Sequence, residues 1–125
     1  MVTPGKMETE EKLRLLGYRK IKGNTWINGT RTVNVQHASK CKRDNFRIIW
    51  HEKWKDYHAL IFDYSDTGGP ICIVPANVLF KSNFITKKRA QDFYENSGNW
   101  WSQRFPMDHE LATLILKYTN RWDLL

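Results

Sequence analysis

The chain alternates between short apolar segments and polar breaks rich in Gly, Pro and Asn, a pattern typical of many short strands and few helices. Acidic residues precede a group of leucines over residues 9–16, which predicts a helix that Gly17 ends. β-branched and aromatic residues surround the pair Asn28-Gly29, so a hairpin is predicted over residues 24–36. A polar turn is predicted over residues 40–45, and further strands are predicted over residues 18–21, 46–50, 57–62 and 71–74.

Two further helices are predicted in the C-terminal part of the chain. One is short and polar over residues 87–96, and the other is amphipathic over residues 108–118. The order of a helix, several strands and later helices predicts an α/β fold in which a mixed β-sheet is flanked by helices. A chain of 125 residues can bury one core but is too short for two. We therefore expect a single domain over residues 8–125, after a flexible leader over residues 1–7.

Positive charge is concentrated in the first half of the chain. The sequence has 20 Lys and Arg against 13 Asp and Glu, a formal net charge of +7. Residues 12–55 hold 12 of the basic side chains, and Asp44 and Glu52 are the only acids there. A segregated basic surface is typical of proteins that bind the phosphate backbone of nucleic acid, whereas lysines can also serve only as a solvated, solubilising face. The charge distribution favours a polyanionic partner.

Several other classes of protein are not indicated. The N-terminal residues lack the apolar segment of a secretory signal, and no apolar run reaches the roughly 20 residues of a membrane-spanning helix, so we expect a cytoplasmic protein with no membrane partner. Two cysteines are too few for a disulfide scaffold, and we expect them to be reduced. No metal site is expected, because a zinc-ligand spacing is not found among His37, Cys41, His51 and His58.

A specific order of elements covers residues 8–80. It comprises an acidic helix that ends in Leu16-Gly17-Tyr18, a strand, the hairpin with its Asn28-Gly29 turn, and two strands of which the second closes in Val74-Pro75. This order resembles that of the PD-(D/E)XK nuclease superfamily, the fold of restriction endonucleases and Holliday-junction resolvases. The resemblance implies a restriction-endonuclease-like fold and a nucleic-acid ligand.

The positions that carry the chemistry in that superfamily are neutral amides in this chain. In many members a metal-binding Asp precedes the hairpin turn, and the next strand carries an acid, one further residue and a Lys. By this resemblance Asn24 stands in place of the Asp, and Asn34 and Gln36 stand in place of the acid and the Lys. A carboxamide offers Mg²⁺ only a neutral carbonyl oxygen and supplies no positive charge. We therefore expect a pseudo-nuclease that binds nucleic acid and needs no cofactor.

An active endonuclease with relocated catalytic groups is the alternative enzyme hypothesis. Lys40 lies an even number of residues from Gln36, so a strand would point both side chains to the same face. Glu10 or Glu11 on the first helix, with Glu11 favoured, and Asp63 on a later strand would supply the carboxylates. Such an enzyme would hydrolyse phosphodiester bonds and would need Mg²⁺ or Mn²⁺.

Cations and tryptophans are the expected contacts to nucleic acid, because cations pair with phosphates and indole rings stack on bases. Trp100 and Trp101 lie in a segment rich in Gly, Asn and Ser, and we expect an exposed loop there. We expect DNA rather than RNA as the nucleic-acid partner. The predicted contact residues are Lys40, Lys42, Arg43, Lys53, Lys55, Lys87, Lys88, Arg89, Trp100, Trp101 and Arg104.

A third hypothesis is a protein-interaction or assembly module. In that case the Trp-rich C-terminal half would form a dimer or complex interface, since tryptophans are enriched at such interfaces. A homodimer is also compatible with the nucleic-acid hypothesis, because nuclease-like domains often pair to engage a duplex.

Overall fold

The computed structural model describes residues 4–37, 40–41, 45–92, 94–96, 98–106 and 108–125. The helices in these ranges are α1 (Pro4–Leu15), α2 (Ala76–Lys81) and α3 (Glu110–Leu116). The strands are β1 (Arg19–Lys22), β2 (Thr25–Asn28), β3 (Arg31–His37), β4 (Lys40–Cys41), β5 (Asn45–His51), β6 (Ala59–Asp63), β7 (Ile71–Pro75), β8 (Gln91–Asp92) and β9 (Trp100–Pro106). Short 3₁₀ segments occur at Glu52–Asp56, Ser65–Thr67 and Trp122–Leu124.

The larger sheet has five strands in the order β1-β2-β3-β6-β7. β1, β2 and β3 form an antiparallel meander, β6 runs parallel to β3, and β7 runs antiparallel to β6. The tight turn between β2 and β3 contains Gly29 at a φ of 61°, a left-handed conformation that glycine adopts without steric cost. The mixed sheet predicted from the sequence is therefore confirmed.

A second, antiparallel sheet has the order β4-β5-β9-β8. β5 and β9 are its longest pair, in register from Asn45 opposite Pro106 to His51 opposite Trp100. The sequence did not predict this sheet as a separate layer. It packs on one face of the larger sheet and, with that sheet, forms the walls of the site described below.

The core has two parts, one on each face of the larger sheet. All five residues of β6 are buried, and they alternate between the two parts. Leu60 and Phe62 pack against the second sheet, α2 and α3, whereas Ala59 and Ile61 pack under α1 and the C-terminal residues. β6 is consequently the central strand that fixes which side chains of β3 face each layer.

Most predicted elements are found within a few residues of their expected limits. Each predicted strand has a counterpart among β1, β2, β3, β5, β6 and β7. The first helix is longer than predicted, because it begins at Pro4, and a proline is well suited to the first turn of a helix. Residues 4–7 of the expected leader are thus helical, and residues 1–3 lie outside the described residues.

Two predictions for the C-terminal part were wrong. The described part of residues 87–96 is not a helix but a series of turns that contains β8, because Gln91 and Asp92 pair with β9. Trp100 and Trp101 are not in an exposed loop, since they begin β9 and are only partly exposed. The predicted amphipathic helix is present as the shorter α3, with Leu111 and Ile115 buried.

Candidate functional site

A cleft of about 820 Å³ lies where the two sheets meet. One wall is formed by the hairpin of β2 and β3, and the other by β5, β9 and the 3₁₀ segment after β5. The volume lies within the range of about 300–1,000 Å³ that is usual for binding pockets. Amides, cations and aromatic rings make up most of its lining, together with Thr25, Val35 and Ile49.

The three amides singled out from the sequence all line this cleft. Asn34 and Gln36 are in register with Leu60 and Phe62, so their side chains lie on the same face of the sheet as the inter-sheet core. Asn34 is 7% exposed, whereas Asn24 is exposed at the entrance to β2. The topology therefore brings together residues that are ten and twelve positions apart in the sequence.

Gln36 also joins the two sheets directly. Its side-chain nitrogen donates a hydrogen bond to the carbonyl oxygen of Ile49, and its side-chain oxygen accepts one from the Ile49 NH at 3.2 Å. A carboxamide has both a donor and an acceptor, so it satisfies both backbone groups at once. A Lys at this position could donate to the carbonyl oxygen but could not accept the bond from the NH.

The charged side chains that line the cleft in the described part of the chain are all basic. They are Lys22, Arg47, Lys53 and Arg104, and no Asp or Glu is among the described lining residues. Arg47 is oriented by a hydrogen bond of 2.8 Å from its Nε to the hydroxyl of Ser102. A concave surface lined by cations concentrates the field and attracts anions such as phosphates.

Aromatic rings line the cleft beside these cations. The ring of Trp100 meets the rings of His51 and Tyr94 at centroid distances of 4.8 and 5.8 Å, with interplanar angles of 81° and 89°. Trp54 is 5% exposed and packs behind Trp100 at 5.4 Å. Tyr94 is 59% exposed. The cleft thus contains both ring surfaces and positive charges.

The basic surface extends beyond the cleft. A second depression of about 540 Å³ shares Arg47 and Arg104 with the cleft and adds Arg89. One carboxylate, that of Asp92, is among its lining residues, and this carboxylate accepts hydrogen bonds from the backbone NH groups of Tyr94 and Gly98. Three arginines therefore follow the surface of the second sheet from the cleft towards β8.

Asp63 lies on the α1 side of the larger sheet. It is 1% exposed, and its carboxylate accepts hydrogen bonds from the Thr9 hydroxyl at 2.8 Å and from the Ser65 NH at 2.9 Å. The Nδ1 atom of His37 is 3.3 Å from the same carboxylate. Burial raises the pKa of Asp63, but the hydrogen bonds from His37, Ser65 and Thr9 outweigh it and hold the pKa well below its usual range.

Two of the candidates for a relocated active site, Glu11 and Asp63, differ in exposure, and the third has a side chain outside the described residues. Glu11 is exposed on α1, whereas Thr9 and Leu13 form the buried side of that helix. Asp63 shares its face of the sheet with Ile61, which packs in the core under α1. Lys40 belongs to β4, and its side chain is outside the described residues.

The predicted contact residues fall into separate groups. Lys53, Trp100 and Arg104 line the cleft, and Arg89 lines the neighbouring depression. Lys55 and Lys88 are exposed outside the described lining of both. Lys42 and Arg43 lie outside the described residues, as does the side chain of Lys40.

Lys87 and Trp101 belong to a different part of the surface. The Lys87 ammonium pairs with the Glu52 carboxylate, and it lies 5.7 Å from the ring centroid of Trp101. The hydrogen bond from Lys87 lowers the pKa of Glu52. Trp101 itself stacks on Trp50 at a centroid distance of 5.8 Å, on the opposite side of β9 from Trp100.

Several further lining residues were not predicted from the sequence as contacts to a ligand. Lys22 and Arg47 are part of the basic segment, but only the pairing of strands shows that they face a common cleft. His51, Tyr57 and Tyr94 come from three separate segments of the chain. The alternation of Arg47, Ile49 and His51 along β5 is the one local signal of a shared face.

The described residues contain no group of three or more His, Cys, Asp and Glu placed to hold a metal ion. His58 is bonded at 2.7 Å to the carbonyl oxygen of Leu124, away from the cleft. Cys72 is a buried free thiol whose pKa is raised by burial, and the Cys41 side chain lies outside the described residues.

The comparisons with known proteins gave no match to a protein-family model, to a curated protein or to a solved structure. Within the described residues, none of the helices is both long and apolar enough to cross a membrane.

Proposed function

We propose that this chain is a nucleic-acid-binding protein that holds its ligand, DNA in preference to RNA, in the cleft between the two sheets. The observation that supports this most directly is the charge of the cleft, because Lys22, Arg47, Lys53 and Arg104 line it without a described carboxylate. Phosphates gain free energy from such cations mainly through the release of condensed counterions. The neighbouring Arg89 extends the same basic surface.

The proposal includes a restriction-endonuclease-like fold without a working nuclease centre. The order on which the resemblance depends, a helix, a strand, the hairpin and two later strands, corresponds to α1, β1, β2 with β3, and β6 with β7, with β4 and β5 in between. Asn24, Asn34 and Gln36 line one cleft, which is the arrangement expected of a former catalytic site. Their neutral amides cannot replace the carboxylates that hold Mg²⁺ or the ammonium that stabilises developing charge.

Binding and cleavage should be measured together on fluorescently labelled DNA and RNA. Anisotropy titrations between about 50 and 200 mM salt, in EDTA, Mg²⁺ or Mn²⁺, give the affinity, and gels of the same samples show any cleavage. We expect salt-sensitive binding in EDTA and intact ligand in all conditions. Metal-dependent cleavage would instead support an active endonuclease with relocated groups. Absence of binding, with a concentration-dependent oligomer, would support the assembly module.

A further inference from the structure

The aromatic rings of the cleft have a defined arrangement. The Trp100 ring lies nearly perpendicular to the rings of His51, Trp54 and Tyr94, with interplanar angles of 81°, 90° and 89°. Three perpendicular neighbours fix the plane of the Trp100 ring, and edge-to-face contacts are a favourable geometry for aromatic pairs. Tyr94 is the most exposed of these rings at 59%. The rings therefore form one wall of the cleft, with Tyr94 at its accessible end.

The segment that carries Tyr94 is held by Asp92. One carboxylate oxygen of Asp92 accepts a hydrogen bond from the Tyr94 NH, and the other accepts one from the Gly98 NH, both at 3.2 Å. Asp92 itself is fixed in β8 by its pairing with Trp101 in β9. The Tyr94 ring is thus positioned at the cleft by the second sheet.

Ring walls and cations together favour one form of nucleic acid. The faces of bases in a duplex are covered by their stacked neighbours, so a duplex offers a protein its phosphates and base edges. Bases of a single strand can separate and stack on aromatic side chains, while nearby cations contact the phosphates. Arg47, Lys53 and Arg104 line the same cleft as the rings.

The size of the cleft agrees with this preference. Its volume of about 820 Å³ is that of a pocket for a small organic ligand, which is the scale of one or a few nucleotides. A duplex would contact the rim without placing its base faces against the rings. We infer that the cleft binds an unpaired strand of nucleic acid, with its bases stacked against Tyr94 and Trp100 and its phosphates on Arg47, Lys53 and Arg104. This inference rests on the proposed function.

The test compares four ligands in EDTA: oligothymidine, its duplex with oligoadenine, an abasic oligomer of the same length, and thymidine monophosphate as a competitor. The abasic oligomer carries the same phosphates without bases. We expect oligothymidine to bind more tightly than the duplex and the abasic oligomer. Tyr94→Ala should weaken oligothymidine binding by at least about fivefold and leave abasic binding unchanged, whereas Tyr94→Phe should bind normally because it keeps the ring.

The outcomes separate this inference from the proposed function. Equal affinity for oligothymidine and either the duplex or the abasic oligomer would overturn the inference and leave the proposed function in place. The inference would also be overturned if thymidine monophosphate displaced labelled oligothymidine as effectively as unlabelled oligothymidine does. The cleft would then bind a free nucleotide. Absence of binding to all the oligomers would overturn both.

Discussion

The side chain of Gln36 binds the backbone of Ile49 at both its NH and its carbonyl oxygen. Through this pair, β3 of the larger sheet is joined to β5 of the second sheet at the cleft. The resemblance places the catalytic Lys of a nuclease at this position. In this chain the position instead connects the two sheets, so the amide has a structural role that a motif reading does not reveal.

Gln36→Leu should destabilise the fold. The substitution removes both bonds and leaves the NH and carbonyl groups of Ile49 without their partner, which costs about 1–3 kcal/mol. Urea denaturation followed by tryptophan fluorescence measures the free energy of unfolding. Gln91→Leu, at an exposed position of β8, is the control and should change this free energy by less than about 0.5 kcal/mol. Equal effects of the two variants would contradict the role assigned to Gln36.

Asp63 should make the protein sensitive to acid. Its pKa is depressed in the folded state, so its stabilising contribution is complete above the unfolded-state pKa of about 3.9 and is lost as the pH falls from there towards the folded-state pKa. Asp63→Asn should lower the free energy of unfolding at neutral pH by about 3 kcal/mol, and by less near pH ~3. Urea denaturation at both pH values measures the difference.

The control for this prediction is Asp66→Asn, because Asp66 is exposed in the 3₁₀ segment that follows Asp63. It removes the same charge without disturbing the bonds from Thr9, His37 and Ser65. We expect it to change stability by less than about 0.5 kcal/mol. If Asp63→Asn lowers the free energy of unfolding by the same amount at both pH values, the shape of the side chain, rather than its charge, accounts for the loss of stability.

Two lysines of one 3₁₀ segment should differ in their effect on binding. Lys53 lines the cleft, whereas Lys55 is exposed outside it, and each variant to Gln removes one positive charge. Lys53→Gln should weaken DNA binding and make the slope of log affinity against log salt shallower by about 0.7–0.9, as expected for one lost phosphate contact. Lys55→Gln should leave the slope unchanged. Identical slopes in both variants would mean that the cleft is not the binding surface.

Lys87 should contribute less to binding than Arg104, although both were predicted as contacts. The ammonium of Lys87 is engaged by the carboxylate of Glu52, so the pair presents little net charge to a phosphate. Arg104 lines both the cleft and the neighbouring depression. Anisotropy titrations of Lys87→Gln and Arg104→Gln at one salt concentration compare them directly. A larger loss for Lys87→Gln would show that the Glu52 pair opens when nucleic acid binds.

The strands of the larger sheet could be predicted because they carry local sequence signals. β9 could not, because it follows residues rich in Gly, Asn and Ser and because Gln103 interrupts its apolar positions. Gln103 occupies an inward position at 3% exposure, between Trp101 and Phe105. Its side-chain oxygen accepts a bond of 2.7 Å from Trp50 Nε1, and its side-chain nitrogen donates to the carbonyl oxygen of Phe84 at 2.9 Å. These partners are distant in sequence. A glutamine whose hydrogen bonds are all made within the core is therefore indistinguishable, from the local sequence, from a glutamine in a loop.

The site was predictable only in part for a related reason. Asn24, Asn34 and Gln36 are close in sequence, and the hairpin brings them to one cleft. Tyr94 reaches the same cleft only because β8 pairs with β9, where a local pattern had favoured a helix. The opposite wall of the cleft thus depends on long-range pairing, which a single sequence does not show.

Restoring the charged motif tests the resemblance itself. The variant Asn24→Asp/Asn34→Glu/Gln36→Lys places two carboxylates and an ammonium in the cleft, which are the groups that hold Mg²⁺ and stabilise charge during phosphodiester hydrolysis. We expect Mg²⁺-dependent nicking of supercoiled plasmid that is absent in the parent chain. Agarose gels with Mg²⁺ or EDTA detect it.

The double variant Asn24→Asp/Asn34→Glu is the matched control, since it keeps the bonds between Gln36 and Ile49. It should gain affinity for Mg²⁺ without nicking DNA, because it lacks the ammonium. The triple variant loses the acceptor for the Ile49 NH, so its folding must be checked by urea denaturation before activity is judged. A triple variant that is folded and binds both DNA and Mg²⁺, yet does not nick, would contradict the placement of these three residues at a former catalytic site.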